Sequence, residues 1–222
     1  MNTISKKYEF TNETKQVGDY TLYRIRSLRD FGSVKAGDLG GFIEKEANLS
    51  HDGNCWVGDN AWVYSDGRVY ENAIICDNAT VCGHVYGNAH VCGYARVYMN
   101  AHVYDNAHIS YQAWVYHRAK VYGNAKLSGS ARIHSNAEVY DHAAVSGASK
   151  IYGKVYGNAS VGCHTNVYGS VYGNAKISGY FIIKGNVYGN ANIKRQSRIS
   201  LVPINCEVYE SDNIVKTVAS AA

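Results

Sequence analysis

The stretch that decides the fold runs from Val85 to Lys120 and reads VYGNAH VCGYAR VYMNAH VYDNAH ISYQAW VYHRAK. An aliphatic residue opens each six-residue block, and a small residue, usually Ala, stands two positions before it. In a β-strand, residues two apart share a face, so each block supplies a short strand that points one large and one small side chain inward. Gly, Asn and Asp tolerate positive φ and turn the chain between strands.

The same spacing extends from Val57 to Ile199, and its exceptions indicate how many blocks make one turn. Four steps are four residues long instead of six, each with a central Gly: Val81 to Val85, Ile151 to Val155, Val167 to Val171 and Ile183 to Val187. When the steps between aliphatic residues are numbered from Val57, the four short steps are separated from one another by multiples of three steps. This regularity predicts a coil of three blocks in which one corner is repeatedly tightened.

The residue that follows each aliphatic supports this count, because its type repeats in a cycle of three blocks along the chain. The series that we name the tyrosine side is uninterrupted: Tyr70, Tyr86, Tyr104, Tyr122, Tyr140, Tyr156, Tyr172 and Tyr188. The next, the small-residue side, carries Gly58, Cys76, Cys92, Ser110, Ser128, Ser146, Gly162 and Ser178, and ends with Lys194. The third, the mixed side, carries Tyr64, Cys82, Tyr98, Tyr116, His134, Tyr152, Tyr168 and Lys184. This cycle of three predicts a three-sided solenoid.

Two resemblances add to this pattern. The motif aliphatic–x–x–x–small–x resembles the hexapeptide-repeat superfamily, which implies a left-handed parallel β-helix. Residues 22–57, LYRIRSLRDFGSVKAGDLGGFIEKEANLSHDGNCWV, followed by xVYGNA repeats, are similar to the YdcK-like hexapeptide-repeat proteins of bacteria and phages, over nearly the whole chain. The expected fold is therefore an all-β, left-handed, three-sided β-helix of about nine turns with an N-terminal β-hairpin cap.

The two ends depart from the repeat. Residues 8–31 alternate like strands around Gly18 and Asp19, which predicts a capping hairpin within residues 1–42. The β-helix is expected over residues 43–203, with a bulge at residues 51–53 and with Pro203 ending the regular repeat. Residues 204–222 are expected to form a C-terminal cap and tail, since an open end exposes apolar core and unpaired strand edges.

Composition limits the classes of function. The net charge of +4 is mild, so binding to a nucleic-acid backbone is not expected. The opening MNTISKKYEF lacks the apolar segment of a secretory leader, and no run reaches membrane-spanning length, so no membrane association is expected. Six cysteines without a CxxC pair are typical of a reduced protein, and the expected location is cytoplasmic.

Departures from the repeat mark the candidate binding site, because the repeat alone satisfies the fold. Bulky residues replace turn residues within 94–118, and Trp, Tyr and Arg, which are enriched at interface hot spots, gather on the mixed side. The predicted binding residues are Trp62, Tyr94, Arg96, Tyr98, Tyr111, Trp114, Tyr116, His117 and Arg118. The same residues would also suit a contact between copies in a homo-oligomer, as a dimer or trimer, or a surface that the N-terminal hairpin covers.

Two further patterns follow from the repeat itself. Outward tyrosines suit a pleated surface and pair across strands, although tyrosines interleaved with basic residues can also stack on the bases of single-stranded nucleic acid. His90 and His108 are expected to stack beside Cys76 and Cys92, which offers two nitrogen and two sulfur ligands to a metal. All four occupy ordinary outward positions of the repeat, so we expect no metal and no cofactor.

These residues favour a non-enzymatic binding or scaffold protein that presents its aromatic side to a protein partner or a small nucleotide. The resemblance to phage proteins implies a host-defence inhibitor as one form of this function. It also implies an alternative, a hexapeptide-type acyltransferase that uses acetyl-CoA on a small amine or hydroxyl. Such an enzyme needs a general base. His134, His142 and His164 have no evident orienting partner in the sequence, so no catalytic residue is predicted.

Overall fold

The computed structural model describes residues 6–217, which form short strands stacked in parallel coils. The fold is an all-β solenoid of about nine turns with almost no helix. In the regular coils each strand pairs in parallel with the strand three places along the chain, as β5 (Trp62–Val63), β8 (Thr80–Val81) and β11 (Arg96–Val97) show. The predicted coil of three blocks is confirmed. No helix within these residues has the length and apolar character needed to cross a membrane.

Each side of the coil is a ladder of parallel strands. The mixed side contains β3 (Leu39–Ile43), β5, β8, β11, β14 (Trp114–Val115), β17 (Arg132–Ile133), β20 (Lys150–Ile151), β23 (Asn166–Val167), β26 (Ile182–Ile183) and β28 (Leu201–Val202). The tyrosine side contains β6 (Arg68–Val69), β9 (His84–Val85), β12 (His102–Val103), β15 (Lys120–Val121), β18 (Glu138–Val139), β21 (Lys154–Val155), β24 (Ser170–Val171), the start of β27 (Asn186–Lys194), and β29 (Cys206–Ser211). The small-residue side contains β4 (Trp56–Val57), β7 (Ile74–Ile75), β10 (His90–Val91), β13 (His108–Ile109), β16 (Lys126–Leu127), β19 (Ala144–Val145), β22 (Ser160–Cys163), β25 (Lys176–Gly179) and the end of β27.

The core is built from the large and small inward residues that the repeat supplies. Val85, Val103, Val121 and Val139 pair in register along the tyrosine side, and all four are fully buried. The alanines two positions before the aliphatics are buried as well, which lets the three strands of a coil approach one another closely. This inward column confirms the orientation that the repeat predicts for its aliphatic residues.

Three of the short steps bring backbones into direct contact at the corner between the mixed and tyrosine sides. A Cβ placed on Gly153 would lie 2.0 Å from the carbonyl oxygen of Gly169, and one on Gly169 would lie 2.0 Å from that of Gly185. Real Cβ atoms do not approach so closely. These glycines are therefore required by space rather than by positive φ.

The N-terminal strands extend the mixed side instead of lying free. β1 (Tyr8–Val17) and β2 (Tyr20–Ser27) form an antiparallel hairpin, and β2 pairs with β3 of the first coil. A 3-10 turn follows at Glu46–Asn48. The buried Lys7 ammonium donates to the carbonyl oxygen of Cys55 at 2.9 Å, and the Tyr8 hydroxyl donates to that of Leu49 at 2.9 Å. These contacts cover the N-terminal end of the core.

The C-terminal end differs from the sequence expectation in two respects. Ile199 is not the last mixed-side residue of the core; Val202 takes that place and pairs with Ile183, because a tight turn from Lys194 to Ser197 delays the return of the chain. The parallel stack also continues past Pro203, since β29 pairs with β27. β30 (Val215–Lys216) then pairs with β29 in antiparallel fashion.

Candidate functional site

The departures from the repeat form one continuous band across the mixed side. We define the aromatic patch as Tyr94, Arg96, Tyr98, Met99, Tyr111, Trp114, Tyr116, His117 and Arg118. Tyr94 and Tyr111 stand at the corner where the chain enters this side, and Met99 and His117 at the corner where it leaves. Between them, Trp114 lies edge to face with both Tyr98 and Tyr116, at 6.4 Å between ring centroids in each case. The structure thus brings together eight of the nine predicted binding residues.

Trp114 is held between two guanidinium groups. Arg96, one coil before, lies 4.8 Å from the indole ring, and Arg132, one coil after, lies 5.1 Å from it. Stacking of a guanidinium on an indole face is stabilising, and here both faces of the ring are used. The arrangement fixes the direction of three long side chains on an exposed surface. Arg132 was absent from the predicted site, although its position before a core aliphatic matched that of Arg96.

Trp62 lies apart from the aromatic patch. On the mixed side it is followed by Thr80 and only then by Arg96 and Trp114. The Lys15 ammonium of the hairpin lies 4.0 Å from the Trp62 ring, and Tyr20 packs on Tyr64 at 5.1 Å between ring centroids. The N-terminal hairpin therefore covers this end of the mixed side, as one of the alternatives from the sequence anticipated.

Three residues of the aromatic patch occupy a backbone conformation that the repeat reserves for turn residues. Met99, Tyr111 and His117 have φ of +59°, +58° and +63°, at corners where other coils place Gly, Asp or Ser and, once, Cys163. L-residues with bulky side chains are disfavoured in this region by about 1 kcal/mol or more. Tyr111 and Met99 are also 68% and 58% exposed, so burial of their side chains does not offset that cost.

The tyrosine side presents ring edges rather than ring faces to solvent. Tyr86, Tyr104, Tyr122 and Tyr140 stack in parallel with centroids 4.8–4.9 Å apart and interplanar angles of 1–4°. Each interior ring therefore has both faces covered by its neighbours. Since bases bind tyrosines through ring faces, the interior of this ladder is unsuited to stacking recognition of single-stranded nucleic acid. The ladder itself, predicted from the sequence, is confirmed.

A cluster with metal-ligand atoms lies on the small-residue side. The Sγ atoms of Cys76 and Cys92 and a carboxylate oxygen of Asp77 lie within 4.8 Å of one another, and His108 Nε2 lies 3.9 Å from Cys92 Sγ. Asp77 was missed in the sequence, where His90 was grouped with the two thiols. His90 stacks on His108 as the sequence predicts, with ring centroids 5.8 Å apart. All six cysteines are free thiols.

Two features of this cluster oppose metal binding. The Asp77 carboxylate accepts a hydrogen bond from the backbone N–H of Gly93 at 2.8 Å, a contact that also links neighbouring coils. Burial raises the pKa of the Cys76 thiol to about 12 and also raises the pKa of Cys92, so a metal would have to displace two firmly held protons.

Purified protein is accordingly expected to contain much less than one zinc per chain, and a chelator should leave its melting temperature unchanged. Elemental analysis and a thermal melt with and without chelator measure both quantities. One tightly held zinc per chain that is lost in the Cys92→Ser variant would contradict this expectation.

Comparison with models of known protein families gives no match to this chain, and neither does comparison with curated protein sequences. The similarity to YdcK-like proteins, and the hand of the coil that it implies, therefore stay predictions.

Proposed function

We propose that this chain is a non-enzymatic protein-binding scaffold, with the aromatic patch as the surface on which its partner docks. The observation that carries the proposal is the presence of Met99, Tyr111 and His117 at strained, exposed corners. The fold needs only a turn residue at these positions and gains no burial from a large one. Backbone strain that the fold does not require is typical of functional surfaces.

The composition and rigidity of the patch suit a protein partner. Tyr, Trp, Met and Arg are the residues enriched at protein–protein interfaces, and Trp, Tyr and Arg dominate their hot spots. The Arg96–Trp114–Arg132 stack holds its side chains in place before any partner arrives, which lowers the entropy lost on binding. A host-defence inhibitor that occludes a bacterial protein complex is one form that such a scaffold would take.

Two other occupants of the patch fit less well. A small nucleotide prefers a concave site that buries most of its surface, whereas the patch lies across the outer surface of a sheet. A second copy of the chain, in a dimer or trimer, would use the same hot-spot residues. Sedimentation of the purified protein and of a variant with Ala at 114 and 118 separates self-association from binding of a foreign partner.

The proposal predicts that binding depends on the patch and not on the tyrosine side. Replacing both Trp114 and Arg118 by Ala should weaken the complex by about 2 kcal/mol or more, roughly a thirtyfold loss of affinity. Stability should fall by only about 1–2 kcal/mol, because both side chains point away from the core and the main loss is the stacking of Trp114 between Arg96 and Arg132. The measurements are affinity for a partner captured from bacterial lysate, or for a second copy, together with the melting temperature of each variant.

The matched control replaces Tyr122 and Tyr140 by Ala. These residues are also outward and aromatic, but they belong to the regular ladder. Complex formation should persist in this control. If replacement of Tyr122 and Tyr140 abolishes binding while replacement of Trp114 and Arg118 leaves it intact, the proposed surface is wrong.

Acyl transfer from acetyl-CoA is the second candidate, and no contact in the described part of the chain favours it over the scaffold. Within residues 6–217 no histidine forms an ion pair with a carboxylate. His134 contacts the hydroxyl of Tyr116, and His164 stacks on Tyr180 at 4.7 Å between ring centroids. A rise in melting temperature with acetyl-CoA, together with acylation of a small amine, would favour the enzyme instead.

A further inference from the structure

The first ring of the tyrosine ladder differs from the rings in the coils that follow it. Tyr70 is the first ring of the ladder and stacks on Tyr86 at 4.8 Å between centroids. One coil earlier, Leu49 pairs with Val69, and the backbone N–H of Ser50 donates to the carbonyl oxygen of Val69 at 2.9 Å. Ser50 therefore holds the position that a tyrosine holds in the coils that follow. Its short side chain leaves the second face of the Tyr70 ring without an aromatic neighbour among the described residues.

A groove of about 620 Å³ opens at this end of the ladder. Its lower wall is the segment from Glu46 to Asp52, which contains the 3-10 turn and the predicted bulge. Its upper wall is the column of Arg68, His84 and His102, which precede the aliphatics on the tyrosine side, together with Tyr70. Small-molecule sites commonly have volumes of about 300–1,000 Å³, so the groove has room for a ligand of nucleotide size.

The named charges around the groove balance, but Arg68 is the one cation in its lining and forms no salt bridge within residues 6–217, so it is free to hold an anion. Arg68 is permanently positive and exposed, and burial lowers the pKa of His84, His102 and His51, which leaves their rings as neutral hydrogen-bond donors near pH 7. Two carboxylates line the groove. Glu46 is paired with Lys6 at 2.6 Å, and Asp52 is the other. Asp66 lies near His84, and Lys120 lies near His102. The negative charge of Asp66 and the positive charge of Lys120 therefore offset each other.

We propose that this groove binds a small aromatic anion of the nucleoside monophosphate class. The base stacks on the free face of Tyr70, and the phosphate is held by the guanidinium of Arg68 with N–H groups of His84 and His102. Arg pairs with phosphate through two parallel hydrogen bonds, and a tyrosine face accepts any base. This site lies on a different side from the aromatic patch and does not depend on the proposed protein partner.

The test is calorimetric titration of the full chain with AMP and, separately, with inorganic phosphate. AMP should bind, and inorganic phosphate should bind at least about tenfold more weakly, because it lacks a base to stack. Tyr70→Ala should reduce AMP affinity at least about tenfold, and Tyr70→Phe should retain it, since the ring is kept. Arg68→Gln should also weaken AMP binding.

Matched controls separate this site from the rest of the surface. Tyr122→Ala removes a ladder ring that has both faces covered, and it should leave AMP affinity unchanged. The variant with Ala at 114 and 118 should also bind AMP normally, whatever it does to protein binding. Melting temperatures establish that each variant is folded. The proposal is overturned if millimolar AMP does not bind, if phosphate binds as tightly as AMP, or if Tyr70→Ala binds like the wild type.

Discussion

Val121→Asp should lower the free energy of unfolding by about 4 kcal/mol or more and leave little folded protein at moderate temperature. Val121 is fully buried and lies between Val103 and Val139 in the inward column. A carboxylate at this position would meet only aliphatic side chains and backbone groups already paired between strands. The ion would therefore be buried without a partner, which is among the most destabilising changes that a core can receive.

Circular dichroism melts and urea titration measure this effect. The control is Lys126→Asp, which places the same carboxylate on an exposed outward position of β16. Its effect should stay within about 0.5 kcal/mol. A wild-type melting temperature in Val121→Asp would show that the assignment of inward residues is wrong.

Gly169→Ala should produce the second largest loss, about 3 kcal/mol, although it adds a single methyl group. The new Cβ would lie 2.0 Å from the carbonyl oxygen of Gly185 and 2.6 Å from that of Lys184. Both contacts are with backbone, so relief requires two neighbouring coils to separate. Separation would lengthen the hydrogen bond from the Ser170 N–H to the Gly185 carbonyl oxygen, now 3.1 Å.

Gly58→Ala is the matched control for this substitution. A Cβ at Gly58 meets its nearest atom, Trp56 Cδ1, at 3.6 Å, which is an ordinary van der Waals contact. The equivalent position in the next coil is Cys76, so a side chain is accepted there. Equal melting temperatures for the variants at 58 and 169 would contradict the assignment of the short steps to backbone contact.

The architecture was predictable because the repeat encodes it locally. The spacing of Val and Ile specifies which residues point inward, and the position of the short steps specifies three strands per coil. The stacked tyrosines follow from the same count. The hand of the coil does not, since the spacing of inward residues is the same for either hand.

The details of the site were less predictable, because they depend on side-chain directions between coils. The sequence indicated Trp114 and Arg96, but the position of Arg132 on the other face of the indole becomes evident only when successive coils are stacked. Likewise, the role of Ser50 at the end of the ladder depends on its register with Tyr70. The shift of the last core residue from Ile199 to Val202 arose from a turn that the repeat does not specify.

The three-block coil also sets the unit by which the chain can change its length. Insertion of one whole coil in the middle of the solenoid would restore every later residue to its own side, so the ladder, the core column and the tightened corner would continue in phase. Insertion of a single block would keep the core, since every block supplies an inward aliphatic. It would nevertheless move each later strand by one side, break the tyrosine stack and shift the short steps to another corner. Such proteins can therefore change length only in whole coils if their surfaces are to be kept.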